Sequence, residues 1–106
     1  MEIKSINDVE GIIYDDIVVK QLVSGEMMSC DYFKLPPGAE AAPHAHPAEG
    51  ILYCLSGELE ATVGDEMKVI NSGISLLIPF NVKVGLKNSG SVPAEVIVVG
   101  SPAGVC

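Results

Sequence analysis

The chain has 106 residues, of which 48% are apolar, and its six basic and fourteen acidic residues give a net charge of −8. This length suits one domain that spans residues 1–106. The acidity, with no local cluster of Lys or Arg, argues against nucleic acid and anionic membrane surfaces as partners. The apolar runs are too short to cross a bilayer.

The first ten residues, MEIKSINDVE, carry charges where a secretory signal peptide carries an apolar stretch. We therefore expect an untargeted, cytoplasmic protein. The next segment, GIIYDDIVVKQLV (11–23), is rich in apolar residues. In a homodimer, this segment is a candidate for pairing between the two subunits.

Short runs of β-branched and apolar residues then follow one another, separated by turn signals such as SGE (24–26), PPG (36–38) and NSG (71–73). No long segment shows the 3.6-residue period of an amphipathic helix. Short strands separated by turns roughly every 8–12 residues predict an all-β sandwich or barrel. Seven or more strands are predicted, and the clearest are residues 17–23, 29–35, 51–55, 59–63, 74–78, 82–86 and 94–99.

The only two histidines of the chain, His44 and His46, stand one residue apart in PHAHPAEG (43–50). In an extended segment, residues two apart project to the same face, about 6.6 Å apart. Two imidazoles so placed can bind one metal ion at roughly 2.0–2.1 Å, and Pro43 and Pro47 favour an extended backbone. A surface or pocket-lining pair that binds no metal is the alternative interpretation.

Two spaced motifs in this part of the chain resemble those of the cupin superfamily. The first covers residues 38–57 and the second covers residues 73–88. The matching positions are Gly38, His44, His46 and Gly57 in the first motif, and Gly73, Pro79 and Asn88 in the second. The resemblance implies a small jelly-roll barrel of two antiparallel sheets, with a ligand site at its open end and commonly in a homodimer.

The metal-ligand set that this resemblance implies is incomplete. It consists of two histidines and a carboxylate or glutamine from the first motif, and a third histidine from the second. The carboxylate position falls on Gly50 and the third-histidine position on Val84. Glu49 becomes a ligand if a bulge at Gly50 re-aims its side chain; otherwise it is a solvated rim residue.

These departures predict an apolar, roomy pocket that binds a small molecule, with a divalent metal (zinc, nickel or iron) weakly held or absent. In the second motif, Asn81 is expected to replace glycine at a turn position with positive φ. The expected pocket residues are His44, His46, Gly50, Leu52, Cys54 and Val84, and the candidate metal ligands are His44, His46 and Glu49.

Three functions stay open at this point. One is an open-site metalloenzyme, dioxygenase- or isomerase-like, acting on a small organic substrate. Another is a metal-free binder in which the histidines supply hydrogen bonds or acid–base groups. The third is a structural dimer in which the barrel is an interaction scaffold and residues 11–23 pair across the two subunits. Separately, the last residue, Cys106, is a candidate for a thiol that links two subunits. The residues do not decide whether the protein is an enzyme.

Overall fold

The computed structural model describes residues 1–103, so the proposed role of Cys106 lies outside the described residues. In this part of the chain, a short 3-10 turn, Ile6–Asp8, precedes ten β-strands. The strands are β1 (Ile12–Tyr14), β2 (Ile17–Ser24), β3 (Ser29–Leu35), β4 (Glu40–His44), β5 (Glu49–Ser56), β6 (Glu58–Val63), β7 (Glu66–Asn71), β8 (Ser75–Ile78), β9 (Val84–Lys87) and β10 (Ala94–Ser101).

The strands form two antiparallel sheets that pack face to face as a jelly-roll barrel. The six-stranded sheet has the order β1-β2-β3-β10-β5-β8, and the four-stranded sheet has the order β4-β9-β6-β7. The insertion of β10 between β3 and β5, and of β9 between β4 and β6, is typical of Greek-key connections. The predicted all-β fold class is therefore confirmed. No helix within residues 1–103 is long and apolar enough to span a bilayer.

Strand alternation accounts for the core between the sheets. In β5, Gly50, Leu52 and Cys54 are buried and the residues between them are exposed, as the two-residue period of a strand requires. Leu35 and Leu59 join this core from other strands, and each is 1% exposed. Each buried leucine stabilises the fold by roughly 1.5–3 kcal/mol relative to an exposed one.

Strands β1, β4 and β7 are not among the clearest strands predicted from the sequence, and all three lie at sheet edges. The β4 sequence, EAAPH, contains a proline and no β-branched residue, so nothing in its composition favours a strand. The residues of β1 are all exposed, and those of β7 nearly all, so neither shows the alternation of a half-buried strand. These edges form because a neighbouring strand offers backbone partners, which the local sequence does not record.

The turn at Pro79 to Asn81 forms as predicted. Asn81 has a φ of 58°, in the left-handed region that Asn tolerates better than most residues. The N–H of Val82 donates to the Pro79 carbonyl over 3.3 Å, and the N–H of Asn81 donates to the His46 carbonyl over 2.9 Å. The turn of the second motif therefore anchors the backbone at one of the two histidines.

Candidate functional site

A cavity of about 170 Å³ lies between the two sheets. It opens to solvent beside His44 and Glu49, which both line it and are both exposed. Of its fifteen lining residues, twelve have no polar side-chain atom, and the exceptions are His44, His46 and Glu49. The cavity is therefore an apolar chamber with its polar groups at the mouth, in agreement with the apolar pocket expected from the sequence.

A β-bulge turns His44 into this cavity. Ala41 of β4 lies opposite Leu86 of β9, and His44 lies opposite Val84, with a register shift between the two pairs. Two residues of β4 thus oppose a single residue of β9. In a regular ladder, Pro43 would lie opposite Val84, and His44 would point out of the barrel.

The single residue opposite the bulge is Gly85, and its lack of a side chain makes room for Pro43. A Cβ at Gly85 would lie 2.7 Å from Cγ of Pro43 and 3.0 Å from its backbone nitrogen. Real Cβ atoms do not approach other atoms this closely, so any larger residue would displace the bulge. Gly85 is therefore a positioning residue for His44.

The two histidine rings contact one another at the mouth of the cavity. Their centroids lie 4.2 Å apart, with an interplanar angle of 66°. His44 ends β4, and His46 lies in the irregular segment that follows it. The structure thus brings together the two side chains that the sequence placed on one side of an extended segment.

The hydrogen bonding of His44 fixes what the pair offers to a ligand. Nδ1 of His44 lies 3.3 Å from the Ala42 carbonyl oxygen. Because a carbonyl can only accept, Nδ1 carries the hydrogen in this contact, and in the neutral imidazole Nε2 is then an acceptor. Burial, and secondly the nearby His44, lower the pKa of His46 from its ordinary value, which favours its neutral form.

Three further predicted pocket residues, Gly50, Leu52 and Val84, line the same cavity. Cys54 does not: it is 0% exposed, lies in the core and is not among the residues that line the cavity. It shares the parity of Leu52, but two residues along a strand correspond to about 6.6 Å of depth. Cys54 is therefore a core residue, and burial raises the pKa of its thiol.

Glu49 lies at the rim, and the bulge that would re-aim it does not form. From Glu49 to Tyr53, β5 pairs with β10 in an unbroken register. At the adjacent Gly50, a Cβ would lie 3.0 Å from the Val99 carbonyl oxygen. A carboxylate side chain at that position would therefore crowd the neighbouring strand, which gives a steric reason for the glycine.

The described residues do not form a complete metal centre. No group of three His, Cys, Asp or Glu side chains within residues 1–103 is arranged to hold one ion. The two imidazoles are together, but Gly50 and Val84 supply no ligand atom from a side chain. The four-ligand set that the resemblance implies is therefore not present in this part of the chain.

Most of the cavity wall consists of residues that were not predicted from the sequence. The additional lining residues include Phe33 of β3, Ile78 of β8, Leu86 of β9 and Val98 of β10. In sequence, each reads as an ordinary core residue of a strand. The sequence signal for these residues was the two-residue alternation, which identifies positions that face the barrel interior. It does not show at what depth side chains fill that interior and where the cavity begins.

Comparison with known proteins agrees with the resemblance to cupins found in the sequence. A family model described as the cupin domain matches residues 31–100. The chain is 31% identical over 86 residues to the uncharacterized protein MJ0764 of Methanocaldococcus jannaschii, a match that covers 80% of this chain and 74% of the relative.

Solved structures extend the likeness to nearly the whole fold. An RmlC-like cupin from Shewanella frigidimarina superposes with a TM-score of 0.91 at 23% identity, covering 98% of this chain and 93% of that one. The polyketide cyclase RemF from Streptomyces resistomycificus gives a TM-score of 0.87 at 19% identity, with 95% of this chain and 79% of that chain covered. At these identities the likeness shows the fold, and the neighbours include an enzyme.

Proposed function

The chain belongs to the cupin family, and from this premise we propose that it binds a small organic molecule in the cavity between its two sheets. One observation carries the proposal: a cavity of about 170 Å³ has an almost wholly apolar wall and two histidines at its mouth. A concave apolar site with a few convergent polar groups is the usual form of a small-molecule site.

In this function the walls and the mouth have different roles. Residues such as Leu52 and Val84 provide apolar contact area, which favours binding by roughly 25 cal/mol per Å² removed from water. His44 and His46 fix the orientation of the ligand through hydrogen bonds, and a neutral imidazole is also able to accept a proton from it.

Filling the cavity tests this function directly. We expect a fragment library to shift the methyl NMR signals of Leu52, Leu86 and Val98 in the wild-type protein. Val84→Phe places a ring in the cavity and should weaken the best fragment by at least about tenfold, or 1.4 kcal/mol. The matched control is Leu77→Phe, because Leu77 is 55% exposed and does not line the cavity.

Two results would reject the proposal. One is a library in which no fragment shifts the cavity methyl signals of the wild-type protein. The other is Val84→Phe binding the same fragments as tightly as Leu77→Phe does, which would place the ligand outside the cavity.

A second candidate function, an open-site metalloenzyme, is favoured by the contact between the two imidazoles, 4.2 Å between centroids. Two histidines provide half of a four-coordinate set. Zinc, nickel or iron held by His44 and His46 alone would therefore be bound weakly and lost on dialysis. Glu49, at the rim, belongs to no three-residue metal group within residues 1–103.

The proposed partner, besides the ligand, is a second copy of the chain that pairs along β1. This strand is the edge of the six-stranded sheet, and its residues Ile12, Ile13 and Tyr14 are 65–73% exposed. An exposed apolar edge strand is a template for pairing with another strand. Antiparallel pairing of two β1 strands is self-complementary and closes as a twofold dimer.

Sedimentation velocity at micromolar concentration checks the dimer. The wild-type protein is expected to sediment as a dimer and Ile13→Lys as a monomer, because the central residues of the paired strands would bring two like charges together. Val92→Lys is the control, since Val92 is 57% exposed and lies outside the strands. A monomeric wild-type protein, or a dimeric Ile13→Lys variant, would contradict this interface.

A further inference from the structure

We infer that the ligand of this cavity is a neutral ring of about benzene size that carries one hydroxyl group. The inference rests on the proposed function, because it specifies the chemistry of a molecule bound between the two sheets. It follows from three properties of the cavity: its volume, the charge of its surroundings and the hydrogen-bonding state of its mouth.

The volume sets the size of the ligand. The cavity measures about 170 Å³, and an apolar protein cavity of about 150 Å³ is known to hold one benzene molecule. A ring with one or two substituents, or about six to eight non-hydrogen atoms, therefore fills it. A larger ligand would project past His44 and His46 into solvent.

The apolar walls disfavour any charge inside the chamber, and the charge of the protein further disfavours an anion. Phe33, Leu35 and Leu52 are among the apolar residues that line the chamber, and transfer of a charge into such surroundings is strongly unfavourable. A carboxylate would meet further repulsion, because Glu49 stands at the rim and the whole chain carries a net charge of −8. The ring is therefore neutral.

The mouth of the cavity offers hydrogen-bond acceptors, so a ligand group there that donates a hydrogen bond is favoured. The contact of His44 Nδ1 with the Ala42 carbonyl, 3.3 Å long, leaves Nε2 as an acceptor. The carboxylate of Glu49, when ionised, also only accepts. A hydroxyl group donates to such an acceptor and is also able to accept from the N–H of a neutral His46, whereas a ketone, an ester or an ether has no hydrogen to donate.

Three probe molecules separate these contributions: phenol, toluene and benzoate, titrated while the methyl NMR signals of Leu52 and Leu86 are followed. Phenol is expected to bind about threefold to tenfold tighter than toluene, the usual net effect of one hydrogen bond. Benzoate is expected to bind at least about tenfold more weakly than phenol because its charge must be desolvated.

A pair of variants ties this preference to the acceptor at the mouth. His44→Leu should reduce the ratio of phenol to toluene affinity to about one, while toluene binds within about twofold of its wild-type affinity. Glu40→Leu, on the same strand but outside the cavity lining, should keep the wild-type ratio.

The outcomes distinguish this inference from the function on which it rests. Toluene binding as tightly as phenol, benzoate binding tighter than phenol, or an unchanged ratio in His44→Leu would overturn the hydroxyl ligand while leaving a ligand-binding cavity. Failure of all three probes to shift the cavity signals at millimolar concentration would overturn both.

Discussion

Replacing Asn88 by alanine is expected to lower the free energy of unfolding by about 3–5 kcal/mol, a large part of the roughly 5–15 kcal/mol that stabilises a domain. Asn88 is 0% exposed. Its Nδ2 donates to the carbonyl oxygens of Leu35 and Val92, both over 2.9 Å, and its Oδ1 accepts from the Gly90 N–H over 2.9 Å. Alanine would leave these three backbone groups without their partner.

Urea unfolding followed by circular dichroism measures this loss. The control is Asn71→Ala, because Asn71 is exposed on β7, and its replacement should change stability by no more than about 0.5 kcal/mol. A loss below about 1 kcal/mol for Asn88→Ala would mean that water or local rearrangement satisfies the three groups.

The position of Asn88 also shows why the two sequence motifs are spaced as they are. The N–H of Gly38, at the start of the first motif, donates to the Asn88 carbonyl over 2.8 Å, and the N–H of Asn88 donates to the Ala39 carbonyl over 2.9 Å. The start of one motif is therefore paired with the end of the other. The motif resemblance singled out Asn88. Only the structure shows that Asn88 acts by forming hydrogen bonds to backbone groups of neighbouring segments.

The fold class could be predicted from local sequence information, whereas the strands at the edges of the sheets could not. In β5 the apolar run ILYCL (51–55) and the turns that flank it predict a strand from local information alone. In β4 the decisive features are a register shift beside Pro43 and the space above Gly85. These arise only when two strands distant in sequence meet, so no reading of EAAPH alone predicts that His44 points inwards.

The same distinction applies to the site. The histidine pair was predictable because residue type, spacing and motif coincide at His44 and His46. The assignment of Cys54 to the pocket was not supported by the position of its side chain, since parity fixes which face a residue occupies but not its depth. The size of the cavity depends on how far β3, β8, β9 and β10 fill the barrel, which is a property of all the strands together.

Restoring one ligand is expected to turn the histidine pair into a metal site. Val84 lies directly opposite His44 in the β4–β9 ladder and lines the same cavity. Opposed side chains in such a pair have Cβ atoms about 4.5–5.5 Å apart, so Val84→His adds a third imidazole beside the existing two. We expect its affinity for zinc or nickel to exceed that of the wild-type protein by at least about a hundredfold, or 2.8 kcal/mol.

Isothermal titration of chelator-treated protein with zinc measures this gain, and elemental analysis after dialysis checks retention. Leu86→His is the matched control, since Leu86 is on the same strand and lines the same cavity but lies opposite Ala41. Because imidazoles bind metal in their neutral form, the affinity of Val84→His should fall as the pH drops and the imidazoles become protonated. Equal affinities for the two variants would contradict this prediction, because they would show that position 84 does not converge with His44 and His46.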